Sequence, residues 1–298
     1  MFTSNPPTGR LSAVATSREF ALDLQRVAIE VGLEAAAHVR RRRVELYSGP
    51  REPDFASTKS SPTDPVTIVD TESEEVIRKA LNSRRPGDSV LGEEGGGPAN
   101  TDAAVQWVVD PIDGTVNFMY GLPAYAVSIA AAHQGVFVAG AVADVNSGET
   151  YTAALGAGAH RISPTGEWTP LRVNTPSSLQ MSLVATGFGY AASRRAEQGR
   201  IVAGLLPHVR DIRRLGSAAL DLCLLAAGQV DAYYEHGLNV WDWAAGALIA
   251  QEAGAAVELP AADAAGNAGH IVAASAPSVA EAFANTLRDL NAVGPIPV

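Results

Sequence analysis

Apolar residues Phe20, Leu24, Val27, Val31, Ala35 and Val39 recur at spacings of three and four. That period puts them on one stripe of a long amphipathic helix, which is expected to end near the basic run Arg40–Arg43, where cations complement the helix dipole. Val69, Val76, Ile77, Ala80 and Leu81 predict a second helix, closed by 82–88. The stretch 48–64 between them is rich in Pro and Ser and reads as a loop. Short apolar runs at 89–91 and 105–110 have strand character and flank the Gly-rich, acidic segment 92–102. Segments 126–132, 136–145 and 149–155 predict an antiparallel meander with Gly or Asn-Ser-Gly at its turns, and 158–173 adds further short strands. Beyond 183 the pattern changes to an alternation: helix 195–206, strand 209–213, helix 217–228, strand 232–235, helix 242–254, strand 270–274, helix 276–290. The chain therefore reads as a tail (1–17), an α+β half (18–165) and an α/β half (166–298) packed as one compact unit.

Composition sharpens this picture in three places. The 298 residues are 47% hydrophobic and 18% charged, as in a soluble globular enzyme. The most apolar stretch, 125–145, is broken by His133, Gln134, Gly135 and Gly140, so it predicts two strands around a turn and no membrane span. The lone Cys223 excludes an internal disulfide and a cysteine zinc site, and it is expected in the core of an apolar helix. No apolar targeting core is visible in 1–17, so a cytoplasmic location is expected.

The charge matters more. Twenty-two Lys and Arg against 32 Asp and Glu give −10, a field that disfavours non-specific binding to nucleic acid or an anionic membrane. Several of those acids stand in suggestive places. In Trp107-Val-Val-Asp-Pro-Ile-Asp-Gly-Thr-Val-Asn-Phe118 a buried strand ends at Asp110, Pro111 turns the chain, and Asp113 follows three residues on. Two carboxylates on such a turn can face one point, and oxygen-only donors suit Mg²⁺. The N–H groups of Gly114 and Thr115, opening a short helix, would face an anion. Taken alone, an Asp-x-x-Asp is more often just a turn. Gly92-Glu93-Glu94-Gly95 places two more acids in a loop after a strand. Asp242 stands where it would cap the last apolar helix of 242–254, beside Trp241. Thr67-Ile-Val-Asp70 matches a capping box, with Asp70 also placed to orient a water or the Thr115 hydroxyl. None of the six histidines has metal-ligand spacing; His236 is expected in an exposed loop.

Lys59–Asp70, Leu91–Gly95, Trp107–Phe118, Gly216–Ala219 and Tyr233–Glu235 through Trp241–Gly246, in this order, resemble the inositol monophosphatase family within the Mg²⁺-dependent, lithium-sensitive phosphatases. Within the family the chain is most similar to bacterial SuhB-type members, particularly actinobacterial ones. The resemblance implies a layered αβαβα sandwich, usually dimeric, that hydrolyses inositol-1-phosphate or a related polyol phosphate with two or three Mg²⁺ per subunit. It implies that Glu93, Asp110 and the carbonyl of Ile112 hold one ion, that Asp110, Asp113 and Asp242 hold a second, and that Glu93 and water help hold a weaker third. Thr115 and Asp70 would position the attacking water, and the Gly114 and Thr115 amides would bind phosphate. Asp113, Ser217, Ala218 and Glu235 would contact the polyol, and Lys59 would lie in a loop closing over the site. The segments Met119–Pro123 and Thr186–Tyr190 depart from the family pattern and are expected to shape the leaving-group pocket. The metal ligands alone leave fructose-1,6-bisphosphate, 3′-phosphoadenosine-5′-phosphate and histidinol phosphate open as substrates. A second role as a binding partner of the transcription machinery also stays open, although the sequence does not support it.

Overall fold

The computed structural model describes residues 16–47, 56–58, 65–98 and 103–298. Lys59 and residues 1–15 of the tail lie outside the described residues. Thr16 Oγ1 sits 2.8 Å from His133 Nδ1, and Ser17 Oγ accepts the N–H of Phe20.

The first helix, α1 (Arg18–Tyr47), runs a full turn beyond its expected end, because no Pro or Gly follows Arg43 before Gly49. The basic run is thus inside the helix. Its residues are held by the fold: Arg40 Nε donates to Val145 O at 2.9 Å, Arg42 pairs with Glu72 at 2.6 Å, and the Arg43 guanidinium lies 5.5 Å from the centre of the Phe118 ring. Short strands β1 (Ala56–Thr58) and β2 (Pro65–Thr67) pair where a loop was expected, and α2 (Ile68–Arg84) follows.

A seven-stranded sheet comes next, from β3 (Ser89–Gly92), β4 (Val105–Asp113), β5 (Ala126–His133), β6 (Val136–Asp144), β7 (Thr150–Ala154), β8 (Gly158–Ile162) and β9 (Trp168–Pro170), paired in that order. The short α3 (Thr115–Tyr120) leaves the end of β4. A second, five-stranded sheet is built from β10 (Leu183–Thr186), β11 (Asp211–Arg213), β12 (Ala232–His236), β13 (Ala256–Glu258) and β14 (Ile271–Ser275), in the spatial order 11-10-12-14-13. Four helices belong to this part: α4 (Ala192–Leu205), α5 (Ala218–Ala226), α6 (Val240–Glu252) and α7 (Ala280–Asp289). The strand β13 has no counterpart among the expected elements, and a 3₁₀ turn at Pro277–Val279 delays α7.

Three apolar cores give the layers. Leu24, Val31 and Val39 of α1 and Ile77 of α2 pack with Trp107, Val109 and Ile129 on one face of the large sheet. Val108, Ala130 and Val142 on its other face meet Leu222 of α5 and Ala245 and Ile249 of α6, which also reach Tyr233 and Val272 of the small sheet. The far face of that sheet, with Tyr234 and Ala273, is covered by Ile201 and Leu205 of α4 and Phe283 and Leu287 of α7. The result is a helix–sheet–helix–sheet–helix sandwich. Helices α5 and α6, sandwiched between the sheets, are apolar over most of their surface, as their position demands, with Asp221 of α5 as a buried exception. Cys223 is fully buried in α5.

Candidate active site

The strand β4 does not stop at Asp110. It runs through Pro111 and Ile112 to Asp113, and its register with β5 slips there: Asp110 is opposite Ser128, whereas Asp113 is opposite Ala126. One extra residue is accommodated, and Pro111, which has no N–H, sits inside the bulge. The consequence is chemical. Before the bulge, Val108 faces α5 and α6 while Trp107 and Val109 face α1 and α2. Strict alternation would turn Asp110 toward α5 and Asp113 away from it. The bulge resets the parity, so that Ile112 faces α1 and α2, and Asp113 faces α5.

Asp113 Oδ2 accepts the Ser217 hydroxyl at 2.5 Å and the Ala219 N–H at 2.7 Å. Ser217 in turn caps α5 through the Leu220 N–H. Its hydroxyl therefore orients Asp113, and its neighbours Gly216 and Ala218, rather than Ser217 itself, line the cleft. Asp110 Oδ1 accepts the Ile112 N–H at 3.0 Å.

Gly114 follows with φ +97°, and a Cβ there would fall 2.8 Å from Ala124 O, so only glycine fits this entry to α3. Thr115 opens α3. Its hydroxyl lies 3.0 Å from Asp70 Oδ1 and 3.1 Å from Ile112 O, and it donates to either. Asp70 is the third residue of α2, and its other oxygen accepts the Thr67 N–H and hydroxyl, completing the expected capping box. Burial pushes the Asp70 carboxyl up to about 6, against the pull of its Thr67 bonds.

Asp242 is also a third helical residue and not the cap. Asn239 precedes α6 and donates its N–H to Asp242 Oδ2 at 2.7 Å, while its side chain accepts from Gly266 N. Both Asp70 and Asp242 thus lie in a first helical turn, where the dipole favours negative charge.

Glu93 lies in the loop after β3. That loop is held from behind by Glu74, which accepts the N–H groups of Glu94 and Gly95 at 2.7 and 2.9 Å and is itself paired with Arg78. Glu74 is absent from the expected site residues; its only sequence signal is an acid on α2 four residues after Asp70 and four before Arg78.

These elements meet at a cleft of about 520 Å³. Glu93, Asp110, Ile112, Asp113, Gly114 and Thr115 line one side of it. Ala218, Glu235 and Asp242 line another, with Phe188, Gly189 and Tyr190 from the segment expected to shape the pocket. Met119–Pro123 does not line it; Tyr120 and Leu122 point to solvent. His236 is buried in β12 with Nε2 2.8 Å from Ala292 O, so it is no exposed loop residue. A smaller cavity of about 300 Å³ near Glu252 holds no such convergence, and that carboxylate is bound by the N–H groups of Gly156 and Gly158.

The charge state of the cleft identifies its need. Burial, then the charges of Glu93, Asp113 and Asp242, hold the Asp110 carboxyl well above the usual range. Asp242 is raised by burial and by Glu93 and Asp113. Asp113 reaches about 6, despite its bonds to Ser217 and Ala219. Acids that disfavour one another's ionisation, with no Lys or Arg among these causes, are a set of hard oxygen donors short of positive charge. In charge and donor type they fit Mg²⁺. No three His, Cys, Asp or Glu side chains among the described residues already meet in metal-ligand geometry, so the fit rests on charge and donor chemistry.

A five-layer sandwich whose acids gather at a β-bulge and two helix starts, beside a buried Thr–Asp pair, defines a class of metal-dependent phosphatase. The chain belongs to the inositol monophosphatase family, whose model matches residues 14–292. It is 53% identical over 281 residues, covering 92% of this chain and 96% of the relative, to the inositol-1-monophosphatase SuhB of Mycobacterium tuberculosis (strain ATCC 25618 / H37Rv). The solved structure of Mycobacterium tuberculosis SuhB matches with a TM-score of 0.77 at 47% identity, covering 92% of this chain and 98% of that one. The Nus factor SuhB of Vibrio cholerae serotype O1 is 42% identical over 202 residues, 67% of this chain and 74% of its own length.

Proposed function

We propose that the chain hydrolyses inositol-1-phosphate to inositol and phosphate, with Mg²⁺ held by Glu93, Asp110, Asp113, Asp242 and the Ile112 carbonyl. The observation that carries this is the set of mutually repelling acids beside the Thr115–Asp70 pair, in a cleft that also contains Glu235. Bound Mg²⁺ supplies a Lewis acid that makes water more acidic and offsets negative charge on the phosphate. The remaining steps fall to the chain itself. Thr115 holds the attacking water through its hydroxyl oxygen while its own hydrogen points to Asp70 or Ile112 O. With the Thr115 hydrogen on Asp70 Oδ1, the water passes a proton to the Thr115 oxygen as Thr115 passes its own to Asp70, whose carboxyl, raised to about 6, takes it up. The water oxygen bonds to phosphorus, the bond from phosphorus to the sugar oxygen breaks, and the alcohol leaves with a proton from solvent. The Gly114 and Thr115 N–H groups face the phosphate at the start of α3.

Glu235 would accept a polyol hydroxyl. Burial lifts its carboxyl to about 7, and Tyr233 donates to Oε2 at 2.9 Å. Glu235→Gln keeps the Tyr233 bond, so the expected result is a KM for inositol-1-phosphate raised about tenfold with kcat changed less than about threefold, from the loss of one charge-assisted bond. An unchanged KM would remove Glu235 from the polyol site.

The family resemblance adds the finer terms of the proposal: two or three Mg²⁺ per subunit of a homodimer in the cytoplasm. Among the described residues no helix is long and apolar enough to cross a membrane. The likeness to a Nus factor supports a second reading, a partner of the transcription machinery. Phosphate release from the purified protein decides between the two. Release is measured with inositol-1-phosphate, fructose-1,6-bisphosphate, 3′-phosphoadenosine-5′-phosphate and histidinol phosphate, each with and without Mg²⁺. The proposal expects Mg²⁺-dependent turnover with the highest kcat/KM on inositol-1-phosphate. No turnover on any of the four would leave the partner reading standing.

A further inference from the structure

Helix α2 touches the cleft machinery at three points along one stripe. Asp70 meets the Thr115 hydroxyl, Ser73 Oγ donates to Pro111 O at 3.3 Å, and Glu74 meets the loop after β3. Spacings of three and four residues bring these side chains to the same face of the helix. The first two contacts brace segments that already belong to a strand or a helix. The third is different. Asp110 and Asp113 stand on β4 and Asp242 on α6, whereas Glu93 stands in a turn, with its own N–H on Val109 O at 3.3 Å.

Glu74 fills the hollow of that turn. Its two oxygens accept the successive N–H groups of Glu94 and Gly95, so the turn is a nest wrapped around an anion. The anion is the chain's own side chain, only 2% exposed. Arg78 closes the nest from the other side, with Nε 2.7 Å from Glu74 Oε1, Nη2 2.6 Å from Gly96 O and Nη1 3.3 Å from Val90 O. The glycines make room for it: a Cβ at Gly92 would lie 2.5 Å from the Glu74 carboxyl carbon, and one at Gly95 would lie 2.6 Å from Oε1. The nest therefore holds the turn on both sides of Gly92–Gly96 and fixes where Glu93 begins.

Glu93 needs such a hold. Its charge and those of Asp110 and Asp242 oppose one another, so without an ion a free turn would relax by swinging Glu93 outward. Bringing it back would then count against binding. A turn held in place during folding removes that cost.

We propose that Glu74, backed by Arg78, is a positioning residue that keeps Glu93 in the cleft before the ion arrives and so sets the affinity of the site for Mg²⁺. This deepens the phosphatase reading and rests on its metal assignment.

The test is calorimetric titration of the substrate-free full chain with Mg²⁺, beside turnover of inositol-1-phosphate over the same Mg²⁺ range. Glu74→Gln keeps the shape but turns an acceptor into a donor that faces another donor. It is expected to weaken Mg²⁺ binding 10- to 100-fold, the usual cost of losing an outer partner of a metal ligand. The Mg²⁺ needed for half-maximal turnover should rise to match, with kcat at saturating Mg²⁺ within about threefold of wild type. Arg78→Lys keeps the cation and loses the bonds to Gly96 O and Val90 O, and should weaken binding about threefold. In a Glu93→Gln background, Glu74→Gln should cost less than about twofold more, because the side chain it positions is gone. A role in stability alone would lower the Tm in chelator and leave the Mg²⁺ affinity as it was. Unchanged affinity in both single variants overturns the proposal, as does an equal loss with and without Glu93. If Glu74→Gln does not fold, Arg78→Lys, alone and with Glu93→Gln, decides in the same way. A wild type that binds Mg²⁺ but does not hydrolyse inositol-1-phosphate defeats the phosphatase reading, and the calorimetric arm still judges Glu74. A wild type that binds no Mg²⁺ overturns both.

Discussion

Asp110→Asn is expected to lower kcat/KM for inositol-1-phosphate by at least about 10³-fold while raising the Tm of the chelator-treated protein by a few degrees. The two effects share a cause. Asp110 is buried at the bulge, where the charges of Glu93, Asp113 and Asp242 oppose its ionisation. Asn keeps the shape and the Oδ1 that accepts the Ile112 N–H, so the bulge survives. It removes one buried charge, or one carboxyl kept neutral at a cost, and the loss of that penalty appears as stability, at roughly 2–4 °C per kcal/mol for a chain somewhat smaller than this one. The same change takes an anionic donor from the metal ligands. Losing an outer partner of a ligand typically costs 10- to 100-fold, and losing the ligand costs more. Asp242→Asn should behave alike, because its cap bond to Asn239 needs only a carbonyl oxygen. The measurements are steady-state kinetics across a Mg²⁺ titration and thermal denaturation in chelator. Turnover within tenfold of wild type at saturating Mg²⁺ would sink the ligand assignment. A fall in both activity and metal-free Tm would mean that Asp110 holds the fold and not the metal.

This opposition between stability and activity also explains which parts of the site could be read from the residues. Period and punctuation carried most of the fold. The three-and-four spacing of Leu24, Val31 and Val39 located α1, and the Thr67–Asp70 box located the start of α2. Asp110, Asp113 and Thr115 were legible because they cluster in sequence at an element boundary, and Asp70, 40 positions earlier, was legible through its capping box and is joined to them by the Thr115 hydroxyl. What escaped was long-range. Nothing local shows that β4 continues through Pro111, because the bulge exists only opposite Ser128 and Ala126 of β5. The resemblance put the region of Ser217 near the polyol, but nothing local shows that Asp113, 104 positions earlier, engages its hydroxyl. Asp242 has the residue type of a cap, but Asn239, three positions earlier, is one as well and takes that place in the structure.

Thermal stability in chelator should fall as pH rises from about 5 to 8, and saturating Mg²⁺ should flatten that fall. The sign follows from the carboxyls. Asp70 moves from 3.8 to about 6 and Glu235 from 4.5 to about 7 on folding. A carboxyl whose pKa is raised by folding binds more protons folded than unfolded between the two values. Its favourable contribution is complete below about pH 4 and is lost as pH rises through 6 for Asp70 and 7 for Glu235. A shift of about two units corresponds to roughly 3 kcal/mol per group before relaxation. Buried His236, whose pKa is lowered, acts in the opposite sense, but only in the acid part of the range. Above about pH 6.5, near the ordinary histidine value, it is silent and the carboxyls alone set the slope. Mg²⁺ favours the ionised acids around it and so restores more stability at pH 8 than at pH 5. Glu235→Gln should remove the part of the slope centred near pH 7, and Asp70→Asn the part near pH 6. Thermal unfolding at half-unit pH steps, with chelator and with Mg²⁺, provides the check. Parallel curves in the two conditions would show that the cleft acids do not respond to the ion. A slope unchanged in both variants would show that Asp70 and Glu235 titrate normally and that neither is tuned for proton transfer or polyol binding.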